Sequence, residues 1–381
     1  MIYIIYKTLI QVGGAEKFLI EFLLELKKTK SVKLICKEVN AETINFFSLR
    51  IEDVITPKKN NYTSWFSLLN NEINKNDTVI VQSGFKDLYI LSLFKKISMI
   101  FFLHHPHFNS LDHFDLLSVI HLKKRKKFLE NEENQRFYKK LLLKHERSPG
   151  FFKTNLFALI NFLSIRRADE IIVLSEYAKE EKKLYFNKDS IYISPAISSR
   201  FIEESIASSN IQKKDQIIYF GRLSKEKRVD ILIDSFNKIK SNLKLKIIGD
   251  GEERESLQLK AKNNNNIVFT GFLDNTDLFE EIKLSKLMVT LEWADYNLTV
   301  YESIILGTRV LFGKTFGVEN FDKPLIKNKM LFYCNPSIND IAIKIDEIIK
   351  MDNPKLSDYA FLRNLSWKNY VQEFISKSKL Q

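Results

Sequence analysis

Two cations five residues apart, between an apolar strand and an amphipathic helix, give the first sign of chemistry in this chain. The stretch reads Ile217-Ile218-Tyr219-Phe220-Gly221-Arg222-Leu223-Ser224-Lys225-Glu226-Lys227-Arg228-Val229. The apolar run ending at Phe220 predicts a buried strand, and apolar residues at 229, 232, 233 and 236 recur at helical spacing. Gly221 permits the tight turn that leaves the strand. Arg222 and Lys227 then lie on the loop feeding a helix N-terminus, where cations and backbone donors together suit a diphosphate. Taken singly, each also reads as an ordinary surface charge. Further on, Ala294-Asp295-Tyr296-Asn297-Leu298-Thr299-Val300-Tyr301-Glu302 runs into Ser303-Ile304-Ile305-Leu306-Gly307-Thr308. That is a loop entering a second helix, with the Glu302 carboxylate about one turn inside it.

Two further places carry reactive or ligand-facing types. Gln11-Val12-Gly13-Gly14-Ala15-Glu16 follows the apolar run 2–6 and opens a helix predicted to reach about Lys27. The missing side chain at Gly14 lets a ligand approach both the backbone and the helix N-terminus; a glycine turn with no ligand is the plain alternative. His104-His105-Pro106-His107 follows the apolar run 97–103. Residues at the C-terminal edge of a parallel strand lie where open α/β sheets bind their ligands. A lone histidine there is more often structural.

Arg222 and Lys227 stand in an ordered series: Gly221-Arg-Leu-Ser-x-x-Lys227, Gly249-Asp-Gly-Glu252, Val268-Phe-Thr-Gly-Phe272, then a Glu ahead of Gly307-Thr308. This order resembles the nucleotide-sugar-binding half of the family 4 glycosyltransferases, and Gly13-Gly14-Ala15-Glu16 extends the resemblance into the N-terminal half. The resemblance implies an α/β protein of GT-B architecture, two Rossmann-like domains facing a central cleft. The expected boundaries are 1–198 for the acceptor-side domain, 199–362 for the nucleotide-sugar domain, and 363–381 for a helix crossing back to the first.

The resemblance also assigns roles. Arg222 and Lys227 would stabilise the departing nucleotide diphosphate in place of a metal ion. Gly14 and Gly221 would admit the donor, Leu273 would lie by the base, and Glu302 would hydrogen-bond the ribose. Asn297, Leu298 and Thr299 would present backbone N–H groups to the phosphate. His104 would face the donor sugar. The family's first Glu should stand eight residues before Glu302, where this chain has Ala294. Asp295 and Glu292 are the two candidates to replace it. The implied reaction is glycosyl transfer with retention from a nucleotide sugar, UDP-linked ahead of GDP-linked, to a glycan or polyprenyl-linked acceptor in bacterial surface polysaccharide assembly. No cofactor and no metal is expected. The missing Glu motivates a rival, a non-catalytic nucleotide-sugar-binding partner of an active transferase.

Something must hold these residues in place. At 381 residues, 45% hydrophobic and 28% charged, the chain is expected to form two globular domains. Beside the strands already named, apolar runs at 32–36, 78–82, 171–174, 191–196, 245–249, 267–273, 287–291 and 309–312 predict a series of βα units. Residues 121–167 read as an insertion, a basic run His121–Lys127 followed by a Phe-rich amphipathic helix ending in Arg166-Arg167, suited either to a core or to a membrane interface. Residues 199–215 read as a polar linker, 338–351 as a helix, and Leu365–Phe374 as the closing helix.

Cys36 and Cys334, far apart, predict a reducing compartment without a disulfide framework. With no signal peptide and no run of the ~20 apolar residues that a spanning helix needs, the protein is expected in the cytoplasm. Its +12 formal charge suits an anionic inner membrane surface. Codon bias toward Lys explains part of that charge. No nucleic-acid-binding signature accompanies it, so nucleic acid is not an expected partner.

Overall fold

The computed structural model describes residues 1–10, 13–82, 85–103, 151–207, 212–239, 242–292, 297–313, 322–378 and 380. The basic run 121–127 therefore lies outside the described residues. The chain divides into two compact units, residues 1–194 with 370–381, and residues 195–369.

The first unit is built on strands β1 (Ile2–Leu9), β2 (Val32–Val39), β3 (Val54–Ile55), β4 (Thr78–Val81), β5 (Ser98–Leu103), β6 (Glu170–Val173) and β7 (Ile191–Tyr192). Their order across the sheet is β3-β2-β1-β4-β5-β6-β7, with every pairing parallel. Runs such as Val79-Ile80-Val81 and Ile171-Ile172-Val173 are wholly buried, as expected of strands covered by helices on both faces. The helix Gly14–Leu26 buries Phe18, Leu19, Phe22, Leu23 and Leu26.

The second unit holds β8 (Lys214–Phe220), β9 (Lys244–Ile248), β10 (Ile267–Gly271), β11 (Ser285–Thr290), β12 (Arg309–Gly313) and β13 (Leu331–Cys334), ordered β10-β9-β8-β11-β12-β13 and all parallel. Alternation along β8 builds the two core layers. Ile217 and Tyr219 join the cluster with Leu232, Ile233, Leu287 and Val289. Ile218 and Phe220 join the one with Met288, Val300 and Ile304. In both units the chain winds outward from one central strand, then returns to that strand's other side. The reversal falls between β1 and β4 in the first sheet and between β8 and β11 in the second. Such switch points open a crevice at the carboxyl ends of the strands.

One difference from the sequence reading has a physical reason. The polar stretch expected as a linker holds a helix, Ser199–Ala207, because Phe201 gives it an apolar side that packs on Phe279 at 4.7 Å between ring centroids. The closing helix runs over Trp367–Lys377, and from Tyr370 on it belongs to the first unit. There Phe374 meets Phe22 at 5.1 Å and Phe102 at 5.5 Å, both edge to face. Cys36 and Cys334 are free buried thiols, each pushed up to about 12, chiefly by burial. Among the described residues no helix is long and apolar enough to cross a membrane.

Phe374 is fully buried in that aromatic cluster. Phe374→Ala is expected to destabilise the protein by about 3–5 kcal/mol, read as a lowered denaturant midpoint. An unchanged midpoint would mean that the C-terminal helix is not docked there.

Candidate functional site

The Arg222 loop is held by backbone pairing that continues past the ends of β8 and β9. Gly221 N–H donates to Ile248 O at 3.0 Å, Leu223 N–H to Asp250 O at 2.9 Å, and Glu253 N–H to Leu223 O at 3.0 Å. The loop after β9 is tied in turn to β10, Gly249 N–H donating to Gly271 O at 2.8 Å. Approach this close excludes side chains. A Cβ at Gly249 would fall on the Gly221 carbonyl oxygen, and one at Gly251 on that of Leu223. Both glycines also hold positive φ, +127° and +159°. The Tyr219 hydroxyl adds a further tie, donating to Arg222 O at 2.9 Å. Burial, with Glu226 nearby, pushes the Tyr219 phenol up, so it remains a donor at any physiological pH. The result fixes the Arg222 backbone while its side chain stays exposed.

Lys227 ends a short 3-10 turn, Lys225–Lys227, just ahead of the helix Val229–Phe236. Its ammonium donates to Glu292 Oε2, and the two side chains are 29% and 10% exposed. Burial lowers the Lys227 pKa; Glu226 opposes that shift and Arg222 adds to it. Glu292 lies two residues past the end of β11, the strand beside β8, so the ion pair spans the second switch point.

The loop after β11 leads to the helix Leu298–Ile305. Asn297 caps it, Oδ1 accepting from Thr299 N–H at 3.0 Å and from the Thr299 hydroxyl at 2.7 Å. Asn297 Nδ2 donates to Thr290 Oγ1 at 3.2 Å, tying the helix start to the strand end. The Thr299 amide, read from sequence as a phosphate donor, is thus engaged by the cap, and a phosphate must displace Asn297 Oδ1 to take it. Glu302 is buried within this helix. Leu273 is half-buried at the end of β10, just before Asp274, whose Oδ1 caps the next helix from Asp277 N–H at 2.9 Å.

The fold therefore brings Gly221, Arg222, Lys227, Asn297, Leu298, Thr299 and Glu302 to the carboxyl ends of the neighbouring strands β8 and β11. Leu273 lies two strands away. Gly14, in the first unit, is exposed at a helix start without a side-chain cap, with open space where a Cβ would stand. Gln82, at the end of β4, donates from Nε2 to Ala15 O at 3.2 Å, closing the other switch point around that helix start. His104 and Asp295 lie outside the described residues. Sequence reading missed Tyr219 as the residue that fixes the Arg222 carbonyl. The signal was a single aromatic at an inward position, indistinguishable from core. Among the described residues no group of three or more His, Cys, Asp or Glu is placed to hold a metal ion.

Two parallel sheets, each with a switch point, are what a GT-B protein requires, and comparison with known proteins shows that fold. Residues 201–360 match the family model for glycosyl transferases group 1. The lipopolysaccharide outer core galactosyltransferase WaaB is similar over 98% of this chain and 97% of its own, with a TM-score of 0.67 at 14% identity. HepE from Anabaena, in complex with UDP and glucose, gives a TM-score of 0.62 at 16% identity over 99% and 94%. The pneumococcal O-GlcNAc transferase GtfA, in complex with UDP and GlcNAc, gives 0.66 at 12% over 98% and 97%. No curated protein matches the sequence. At such identities the structural likeness shows the fold; with the family match it supports a glycosyltransferase of GT-B architecture.

Gly249→Ala must push the Arg222 loop away from β9. The expected cost is about 1–3 kcal/mol of stability, with loss of nucleotide binding by the protein that remains folded. Calorimetry on the folded fraction checks it; wild-type binding would show that the loop pairing is dispensable.

Proposed function

We propose that this chain is a retaining glycosyltransferase that moves a sugar from a UDP-sugar to a glycan or polyprenyl-linked glycan, without a resident metal or cofactor. The observation carrying this reading is the placement of Arg222 and Lys227 on one pinned loop at a switch point, beside the helix that bears Glu302. Departure of a nucleoside diphosphate builds negative charge on its β-phosphate. Preorganised cations in a partly dry site stabilise such charge without reorganising. UDP is the nucleotide in the HepE and GtfA complexes, which favours it here. Retention and membership of family 4 rest on the motif order, and His104 and Asp295 keep their proposed places at the donor sugar on the same ground.

The acceptor reading draws on the first unit. Its helix Phe151–Arg167 exposes Leu156, Leu159 and Leu163 on one side and ends in Arg166 and Arg167. Apolar residues at this spacing beside cations suit the anionic inner face of a membrane, where a polyprenyl-linked acceptor for surface polysaccharide would be met. Ala294, in place of the family's first Glu, favours a second reading: a non-catalytic nucleotide-sugar-binding partner.

Calorimetric titration with UDP, GDP and ADP, without added metal, tests the donor site. UDP is expected to bind, and Lys227→Ala to weaken it roughly ten- to a hundredfold, the size of a lost charge-assisted hydrogen bond. Donor turnover that Lys227→Ala abolishes would exclude the non-catalytic reading; binding without turnover toward any acceptor would favour it. For the membrane, the protein is expected to float with phosphatidylglycerol vesicles and not with phosphatidylcholine ones, less so at high salt. Leu159→Glu should weaken that flotation, and equal flotation by the variant would remove this helix from the membrane reading.

A further inference from the structure

Glu292 has a chemical task that the motif order does not assign. It is 8% exposed, and its carboxylate accepts from the Lys227 ammonium. Its backbone is set by the sheet. Thr290 closes the β11 pairing with Phe312, and the backbone of the next residue, Leu291, lies against Gly313. The carboxylate itself is nearly buried where it meets Lys227. Without a cation it would be a buried, unpaired charge, which is strongly unfavourable.

The converse holds for Lys227. Among the described residues, three charged side chains act on it: Arg222 from the loop after β8, Glu226 from its own turn, and Glu292 from just past β11. Burial and Arg222 favour the neutral amine. Glu226 is already engaged with the Ser224 hydroxyl. An ammonium has three N–H donors. One spent on Glu292 leaves two for phosphate oxygens, in a direction that the ion pair sets.

We propose that Glu292 is a positioning residue for the diphosphate site, anchoring the Lys227 ammonium across the switch point. This rests on the reading of Lys227 as a diphosphate ligand. It gives Glu292 a task different from replacing the family's missing sugar-facing carboxylate.

The sign of the effect follows from linkage. A neighbouring carboxylate raises a lysine pKa, so its removal lowers it. Phosphate binding that needs the ammonium is then lost at a lower pH as pH rises.

The test follows Lys227 by NMR of lysine-labelled protein, its signal assigned by absence in Lys227→Ala, beside UDP titrations from pH 6 to 10. In Glu292→Gln the Lys227 titration is expected to move down by about one pH unit or more, and the alkaline loss of UDP affinity to move with it. The double variant Lys227→Arg/Glu292→Gln should lack the lysine-dependent part of that alkaline loss, because a guanidinium stays charged. An unmoved Lys227 titration in Glu292→Gln would overturn the proposal. So would tighter UDP binding by that variant at every pH, which would make Glu292 a competitor of the phosphate. A Lys227→Ala chain that binds UDP as tightly as wild type would sink the donor-site reading itself, and this inference with it, whatever the titration shows.

Discussion

The Arg222 loop of the candidate donor site depends on how closely the backbone after β8 can approach the backbone after β9. The loop carrying Arg222 is irregular, and an irregular loop ordinarily moves. Here it is treated as one more step of the sheet, with Gly221 and Leu223 donating to Ile248 and Asp250. That step exists only because positions 249 and 251 lack side chains. Preorganisation is what a cation needs if it is to stabilise charge that appears during a reaction, and two absent side chains supply it at the level of the backbone.

A second constraint is electrostatic. Arg222 is exposed and, with a guanidinium's high pKa, stays charged under all ordinary conditions. Lys227 is half-buried near that guanidinium, in surroundings that disfavour its proton. The two cations of one motif therefore face different problems, although they stand five residues apart. Glu292 meets the lysine from just past β11, a strand that adjoins β8 in space and is distant in sequence. The same region carries the buried Glu302 and the Asn297 cap, so the end of β11 and the helix after it gather most of the polar burial in the site.

The sequence by itself determined a series of βα units, the strands down to runs such as 78–82 and 309–312, and the loop carrying Arg222 and Lys227; the two-sheet GT-B arrangement followed only from the resemblance that its motif order carries. Hydrophobic periodicity and glycine placement are local signals, and both survive in one dimension. It also placed Asn297 and Glu302 at a helix start, because an N-cap and the helical residues after it are neighbours along the chain. Tertiary structure alone decided the rest. Lys227 and Glu292 are 65 residues apart, and nothing in either's neighbourhood announces the other. Their meeting depends on β8 and β11 lying side by side, which is a matter of strand order. The engagement of the Thr299 amide depended on an Asn297 rotamer, and the helix at 199–207 on a phenylalanine finding a ring from another helix. Pairing across a switch point is set by topology, and topology is a property of the folded chain.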